Sequence, residues 1–296
     1  MINLGVPRLV CGELELSYNT FIHGLRQGLK NIINEVVSYL LSGKVGSKIV
    51  GRGASGDVTK EFDKVSEDIL VRGLRALFND SIVIVSEELG FKAFGKPKWL
   101  AIMDPVDGST NYDAGIPWVA VSLGLARFYE GKELMIKDIE IALVANVYEG
   151  TIYEYFNGKV YANGKEVVRL SKPKNVVLGY FEKPEAYKII PSYWSVRGRR
   201  AALRSLGSVA LEMIYVGLGR AEAFVDLRAK IRNVDVAAAY RIALALGAKA
   251  ALCDESPLEE FPINNIANLR CVLMGYNENI LSMLREAYRR AYKSMR

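Results

Sequence analysis

The stretch WLAIMDPVDGSTNY, residues 99–112, constrains this chain more than any other. Five residues suited to a buried strand run straight into two aspartates, Asp104 and Asp107, separated only by Pro105 and Val106. Ionised carboxylates at the mouth of an apolar core are costly unless cations lie between them. The same setting recurs elsewhere: Glu87 and Glu88 follow the strand-like SIVIV, and Asp235 opens a helix after the strand-like AEAFVDL. Singly, each acid reads as a helix cap or a solvated turn residue. Together they read as ligands. With one histidine and no paired cysteines the donors are oxygens, which select magnesium or manganese over zinc. Pro105 fixes a backbone angle, and a turn there lets side chains three apart, with an intervening carbonyl, face one metal cluster. Gly108, Ser109 and Thr110 are expected to begin a short helix whose free N–H groups seat a phosphate. Acids for a cation beside amides for an anion make a phosphoester site.

Composition narrows the classes. Of 296 residues 50% are hydrophobic, enough for a sizeable core in one large domain or two packed halves. No apolar run approaches the roughly 20 residues of a membrane span, and the N-terminus lacks a signal peptide's pattern, so a cytoplasmic protein is expected. Cys11, Cys253 and Cys271 are an odd number with no short pairing, which predicts reduced, buried thiols rather than a disulfide or a thiolate site. His23 is the only histidine, which excludes mechanisms built on several imidazoles, and its apolar-periodic context predicts a structural role. The net charge of +6 suits an anionic ligand or a solvated surface equally. A single glutamine, Gln27, hints at a thermophilic source.

Along the chain, apolar spacing predicts a helix over 21–41, then a Gly-rich loop, then a helix from Thr59 with Thr59 or Asp57 as cap. Strands are expected over 82–85 and 99–103, and over 119–170 joined by turns at Glu149-Gly150, Asn157-Gly158 and Asn163-Gly164. After Pro173 the elements alternate: strand 176–181, helix 207–217, strand 221–227, helix 235–246, strands 248–253 and 271–276, and a basic final helix. A boundary near 165–175 divides one catalytic unit, 1–296, into halves of about 1–170 and 171–296.

DPVDGSTNY resembles the signature of the magnesium-dependent inositol monophosphatase and fructose-1,6-bisphosphatase superfamily. The resemblance extends to GDVTKEFDKVSEDIL before it, SEEL, RSLGSVALE and NVDVAAAYRIALALGA, four further motifs in the family's order. It implies an α/β protein with the five-layer α/β/α/β/α sugar-phosphatase fold, assembled as a homodimer or homotetramer. It also implies that Glu87, Asp104, Asp107 and Asp235 bind two or three Mg2+ (or Mn2+), with the Val106 carbonyl and Glu88 completing the shell. Ser109 stands at the family's usual threonine, and Asp63 would hydrogen-bond its hydroxyl. With Glu87 and a metal, this pair would polarise the attacking water between two ions roughly 3.5–4 Å apart.

GRGASG, residues 51–56, satisfies G-x-G-x-x-G without the flanking strand and helix of a dinucleotide site, and reads instead as a loop closing over the active site with Arg52 near a family lysine. The basic stretches RGRR, residues 197–200, and REAYRRAYKSMR raise a nucleic-acid partner as an alternative, but a solvated face explains them better and no nucleic-acid partner is expected. Seven residues before Asp235, where the inositol enzymes carry an acid, stands Arg228, followed by Arg232. A guanidinium there suits a second phosphate. The spacing resembles archaeal dual-activity enzymes, with Arg204, Gly207, Ser208 and RGRR as further pocket candidates. The expected function is hydrolysis of fructose 1,6-bisphosphate, as in gluconeogenesis, and of inositol 1-phosphate. A phosphatase for 3′-phosphoadenosine 5′-phosphate is the alternative.

Overall fold

The computed structural model describes residues 11–43, 46, 48–53 and 58–292. Helix α1 (Cys11–Leu41) begins before the periodic stretch predicted from Phe21. Ile22, Leu25, Leu29, Ile32, Ile33, Val36 and Leu40 are its buried stripe, whereas Phe21 and His23 face solvent. Strands β1 (Ile49–Arg52) and β2 (Val58–Lys60) form an antiparallel hairpin, so GRGASG is entered from a hairpin strand and not from the βα turn of a dinucleotide fold. Residues 54–57, including the cap candidate Asp57, lie outside the described residues. Helix α2 (Glu61–Leu77) takes Lys60 as its N-cap. Thr59, the other candidate, belongs to β2.

The first sheet contains β3 (Ile82–Ser86), β4 (Gly90–Phe94), β5 (Trp99–Asp107), β6 (Ala120–Arg127), β7 (Ile139–Asn146), β8 (Thr151–Phe156), β9 (Lys159–Ala162) and β10 (Lys165–Glu166). Its order is β10-β9-β8-β7-β6-β5-β3-β4, with only β3 and β5 parallel. Asn157-Gly158 and Asn163-Gly164 all have positive φ (48°, 78°, 47° and 80°), the conformation that matches the twist of two-residue hairpins. The predicted turn within DPVD is corrected, because β5 continues through it to Asp107. Asp104 pairs with Ser122 and Asp107 with Ala120, so three steps on β5 match two on β6. That extra residue is a bulge. In a regular strand residues three apart face opposite ways, and the bulge offsets this alternation at the acids. The short helix α3 (Ser109–Asp113) follows at once.

The second sheet is built from β11 (Val176–Tyr180), β12 (Ala202–Arg204), β13 (Ala223–Asp226), β14 (Lys249–Ala251) and β15 (Val272–Gly275), in the order β12-β11-β13-β15-β14. Helices α4 (Ile189–Arg197), α5 (Val209–Gly217), α6 (Asn233–Ala245) and α7 (Glu278–Tyr292) complete the chain. Strand alternation separates three cores. Ile82, Ile84 and Met103 pack with α1 and α2, while Val83, Val85 and Ile102 pack with α5, α6 and residues of the second sheet such as Leu178 and Phe224. Val177, Ala223 and Leu273 pack with α4 and α7 on the outer face. The result is the α/β/α/β/α layering. Among the described residues no helix is long and apolar enough to cross a membrane.

The expectation of reduced thiols fails for two cysteines: Cys253 and Cys271 form a disulfide with Cα atoms 5.6 Å apart. Antiparallel pairing is the reason. Ala251 opposes Leu273 across β14 and β15, so the residues two beyond and two before that pair also face each other. The sequence separation of 18 carries no sign of this. The side chain of Cys11 lies outside the described residues.

Candidate active site

Three acids from distant parts of the chain meet where the two sheets adjoin. Glu87 stands in the turn after β3, Asp104 near the end of β5, and Asp235 in the first turn of α6. One carboxylate oxygen from each lies within 4.8 Å of the others. Asp104 is 3% exposed. Burial, and then the charges of Glu87, Asp107 and Asp235, hold its carboxyl well above the ordinary range. Burial also pushes Asp235 up to about 7 and Asp107 up to about 6. Asp63, on α2, is pushed up to about 7 by burial, with Glu88 and Glu87 adding to it.

Backbone amides hold the rest of the constellation. Asp63 and Asp235 occupy equivalent positions in the first turns of α2 and α6, each accepting its own N-cap N–H, from Lys60 at 3.1 Å and from Arg232 at 2.8 Å. Asp107 accepts the Ser208 hydroxyl at 2.5 Å and the Val209 and Ala210 N–H groups at 3.1 and 2.8 Å. It thus caps α5 from across the cleft, where the unpaired amides of a first turn attract an anion. Gly108 (φ 96°) joins β5 to α3, and a Cβ there would stand 3.0 Å from the Gly207 and Trp118 carbonyl oxygens. Only glycine allows the phosphate-side turn to approach the 205–208 loop this closely.

Acids converging at strand ends beside a glycine-turned short helix match a known pattern, and the inositol monophosphatase family model matches residues 18–286. The chain belongs to the inositol monophosphatase family. It is 32% identical over 255 residues to a fructose-1,6-bisphosphatase/inositol-1-monophosphatase of Methanocaldococcus jannaschii, covering 84% of this chain and 94% of that one. An inositol-1-monophosphatase of Aeropyrum pernix is 36% identical over 197 residues, covering 65% of this chain and 71% of that one. A solved inositol monophosphatase-fructose 1,6-bisphosphatase structure superposes with a TM-score of 0.72 at 29% identity, covering 88% of this chain and 98% of that one. The family is metal-dependent and its members are phosphatases, as is this chain.

Set against the family pattern, the inositol monophosphatase site is only partly drawn together here. Glu88, expected in the metal shell, instead accepts the Thr59 hydroxyl of β2, while its neighbour Glu87 reaches the cluster. Asp107 is likewise engaged with α5 rather than within the tight group of three. Val106 is buried and donates its N–H to Asp104 Oδ1 at 3.0 Å. Ser109 is half-buried at the start of α3 and Thr110 is exposed. The implied hydrogen bond between Ser109 and Asp63 is not made in this structure, where Asp63 Oδ2 accepts the Lys60 amide. Arg232 ion-pairs with Glu87 at 2.8 Å. Arg228 grips Asp226 through Nε and Nη2 and lies 3.9 Å over the Tyr180 ring. Arg204 sits exposed on β12, its Nη1 donating to the Leu203 carbonyl.

Several arginines of the basic stretches are engaged in ion pairs. Arg197 is buried against Glu222 and donates to Asn175, which removes it from RGRR as a ligand-binding candidate. In the final helix Arg285 pairs with Glu278, Arg289 with Glu255, and Arg290 with Glu286. Residues 293–296 of REAYRRAYKSMR lie outside the described residues.

Three supporting residues escaped the sequence reading. Asn111 is buried and donates to the Leu206 and Trp118 carbonyls at 2.7 and 2.8 Å, tying α3 to the 205–208 loop. Glu212, fully buried and pushed up to about 8 by burial, accepts the Leu206 N–H at 2.7 Å. Tyr180 accepts the Gly207 N–H at 2.8 Å beside it. Asn111 and Glu212 lie inside the motifs DPVDGSTNY and RSLGSVALE, which was the available signal, whereas nothing near Tyr180 marks it.

Proposed function

We propose that this chain is a magnesium-dependent phosphomonoesterase acting on fructose 1,6-bisphosphate, at the 1-phosphate, and on inositol 1-phosphate. The meeting of Glu87, Asp104 and Asp235 within 4.8 Å carries the reading. A divalent cation fits them: the donors are carboxylate oxygens, burial and mutual repulsion raise the pKa of Asp104, and the ion-paired guanidinium is that of Arg232 on Glu87. Oxygen donors suit Mg2+ or Mn2+. Glu87, Asp104 and Asp235 would hold the first ion, with Asp107, Glu88 and the Val106 carbonyl completing sites for two or three. Bound metal would neutralise phosphate charge and make water acidic enough to attack at neutral pH.

The chain's own groups supply the rest. Asp63, pushed up to about 7, can release and take up a proton near neutrality, and its carboxylate form would accept one from the attacking water, with Ser109 as its proposed hydroxyl partner. The amides of Gly108, Ser109 and Thr110 would receive the phosphate oxygens. Arg228, Arg232, Arg204, Gly207 and Ser208 would meet the sugar or polyol end. The relatives' names support sugar and polyol phosphates over 3′-phosphoadenosine 5′-phosphate. The reading extends to a cytoplasmic homodimer or homotetramer, which light scattering checks.

Phosphate release from the three substrates, with magnesium and with chelator, tests the proposal. Asp104→Asn should lower turnover on the order of 10³-fold without unfolding the protein. Full activity in that variant would sink the assignment.

A further inference from the structure

We propose that Glu67 is a positioning residue that sets Glu87 for the divalent ion, an inference that rests on the metal-site reading above. Glu67 lies on α2 one turn beyond Asp63 and is 1% exposed. Its Oε1 accepts two hydrogen bonds, one from the Ser86 hydroxyl and one from the Leu89 N–H at 2.9 Å. Ser86 is the last residue of β3, and Leu89 immediately precedes β4; Ser86 and Gly90 are register partners across the two strands. One buried oxygen therefore joins both ends of the short connection whose tip is Glu87 and Glu88. Its other oxygen lies 3.8 Å from Lys64 Nζ, its cation partner among the described residues.

The arrangement fixes more than it stabilises. Glu87 and Glu88 are adjacent yet diverge, one toward Asp104 and Asp235 and the other toward Thr59. That divergence needs a defined backbone through the turn. Glu67 defines it from below, because Ser86 and Leu89 are pinned to one point on a helix packed into the core. Removing the acceptor frees both donors together, and the turn can then rotate Glu87 away from the other two acids. Partners that orient a metal ligand in this way typically change affinity about 10- to 100-fold when lost.

The test compares full-length wild type, Glu67→Ala, Glu67→Gln, Ser86→Ala and Asp104→Asn by calorimetric Mg2+ titration and by the magnesium dependence of turnover. Glu67→Ala should weaken Mg2+ binding by about 10- to 100-fold, with turnover largely recovered at saturating magnesium. Glu67→Gln keeps the Oε1 acceptor and should stay within about 3-fold of wild type, whereas Ser86→Ala, which leaves the core intact, should fall between. Ser86→Ala still answers the question if Glu67→Ala fails to fold. Wild-type affinity in both Glu67→Ala and Ser86→Ala overturns the inference, and so does equal loss in the alanine and glutamine variants. Asp104→Asn separates the two levels: if it binds Mg2+ normally, the metal-site reading itself is wrong, and if it alone loses the ion, only the positioning role is.

Discussion

Glu222 and Asp104 are both buried acids, 1% and 3% exposed, and they are built in opposite ways. Glu222 receives the Tyr193 hydroxyl at 2.9 Å on one oxygen and the buried Arg197 guanidinium on the other. Asp104 receives one backbone N–H at 3.0 Å, and its charged neighbours Glu87, Asp107 and Asp235 are all acids. The second sheet satisfies its buried charge from within. The cleft gathers three acids around Asp104, with Arg232 paired to Glu87, the setting that a bound cation would balance. Glu154, held below the usual carboxylate range by Arg26 and Lys30, belongs with Glu222.

Breaking the first kind of acid should cost the most. Arg197→Ala leaves Glu222 buried and unpaired, and should destabilise the protein by about 3–5 kcal/mol in denaturant unfolding. Asp104→Asn, measured with chelator present, should leave the apo protein as stable as wild type or more so, because it removes a charge the fold opposes. A large loss in Asp104→Asn, or none in Arg197→Ala, would erase the distinction between the two acids.

The pH dependence sharpens the same contrast with a smaller effect. Asp63, Asp235 and Asp107 titrate near 7, 7 and 6 in the folded protein, against an ordinary value of 3.8. Between these limits the native state binds more protons than the unfolded chain, so unfolding free energy falls as pH rises. Stability contributed by these groups is present below pH 4 and lost by about pH 7. Without divalent ions the protein should lose stability progressively between pH 5 and 8 through these groups. Magnesium should restore more at pH 8 than at pH 5, because protons compete for the same oxygens. Thermal midpoints at the two pH values, with and without magnesium, check this. Asp235→Asn should flatten the slope, and an unchanged slope would remove Asp235 from the coupled group.

How much of this was legible depended on whether a feature is local. The strand entering the DPVD motif, the Asn-Gly hairpins and the helices around Asp63 and Asp235 follow from spacing along the chain, and the structure contains them, although β5 runs on to Asp107 where the spacing predicts a turn. Features set by pairing did not show. The edge strand β4 reads GFKAF with three exposed residues, and α4 carries Pro191 in its first turn, where proline is tolerated but masks the helical pattern. The Cys253–Cys271 bond becomes visible only once β14 and β15 are known to be antiparallel. The same holds for the directions of Glu88 and Asp107, because the amides and hydroxyl that draw them lie on segments remote in sequence.

Arg228 lies between the two kinds of site. It pairs with the buried Asp226, as Arg197 pairs with Glu222, yet its charge also reaches Asp107 and Asp235 in the cleft. Asp226 and the Tyr180 ring hold the guanidinium by its Nε and Nη2 side and by its face. A planar group pinned this way can offer its remaining N–H groups to a second phosphate at little entropic cost. Lysine at this position keeps the charge, and so protects Asp226, but loses the fork. Arg228→Lys should therefore lower kcat/KM for fructose 1,6-bisphosphate by about 10-fold and for inositol 1-phosphate by no more than about 2-fold. The unequal loss would mark Arg228 as the residue that distinguishes one phosphate from two; an equal loss on both substrates would make it a structural partner of Asp226 alone, and the cleft's choice of substrate would have to reside elsewhere.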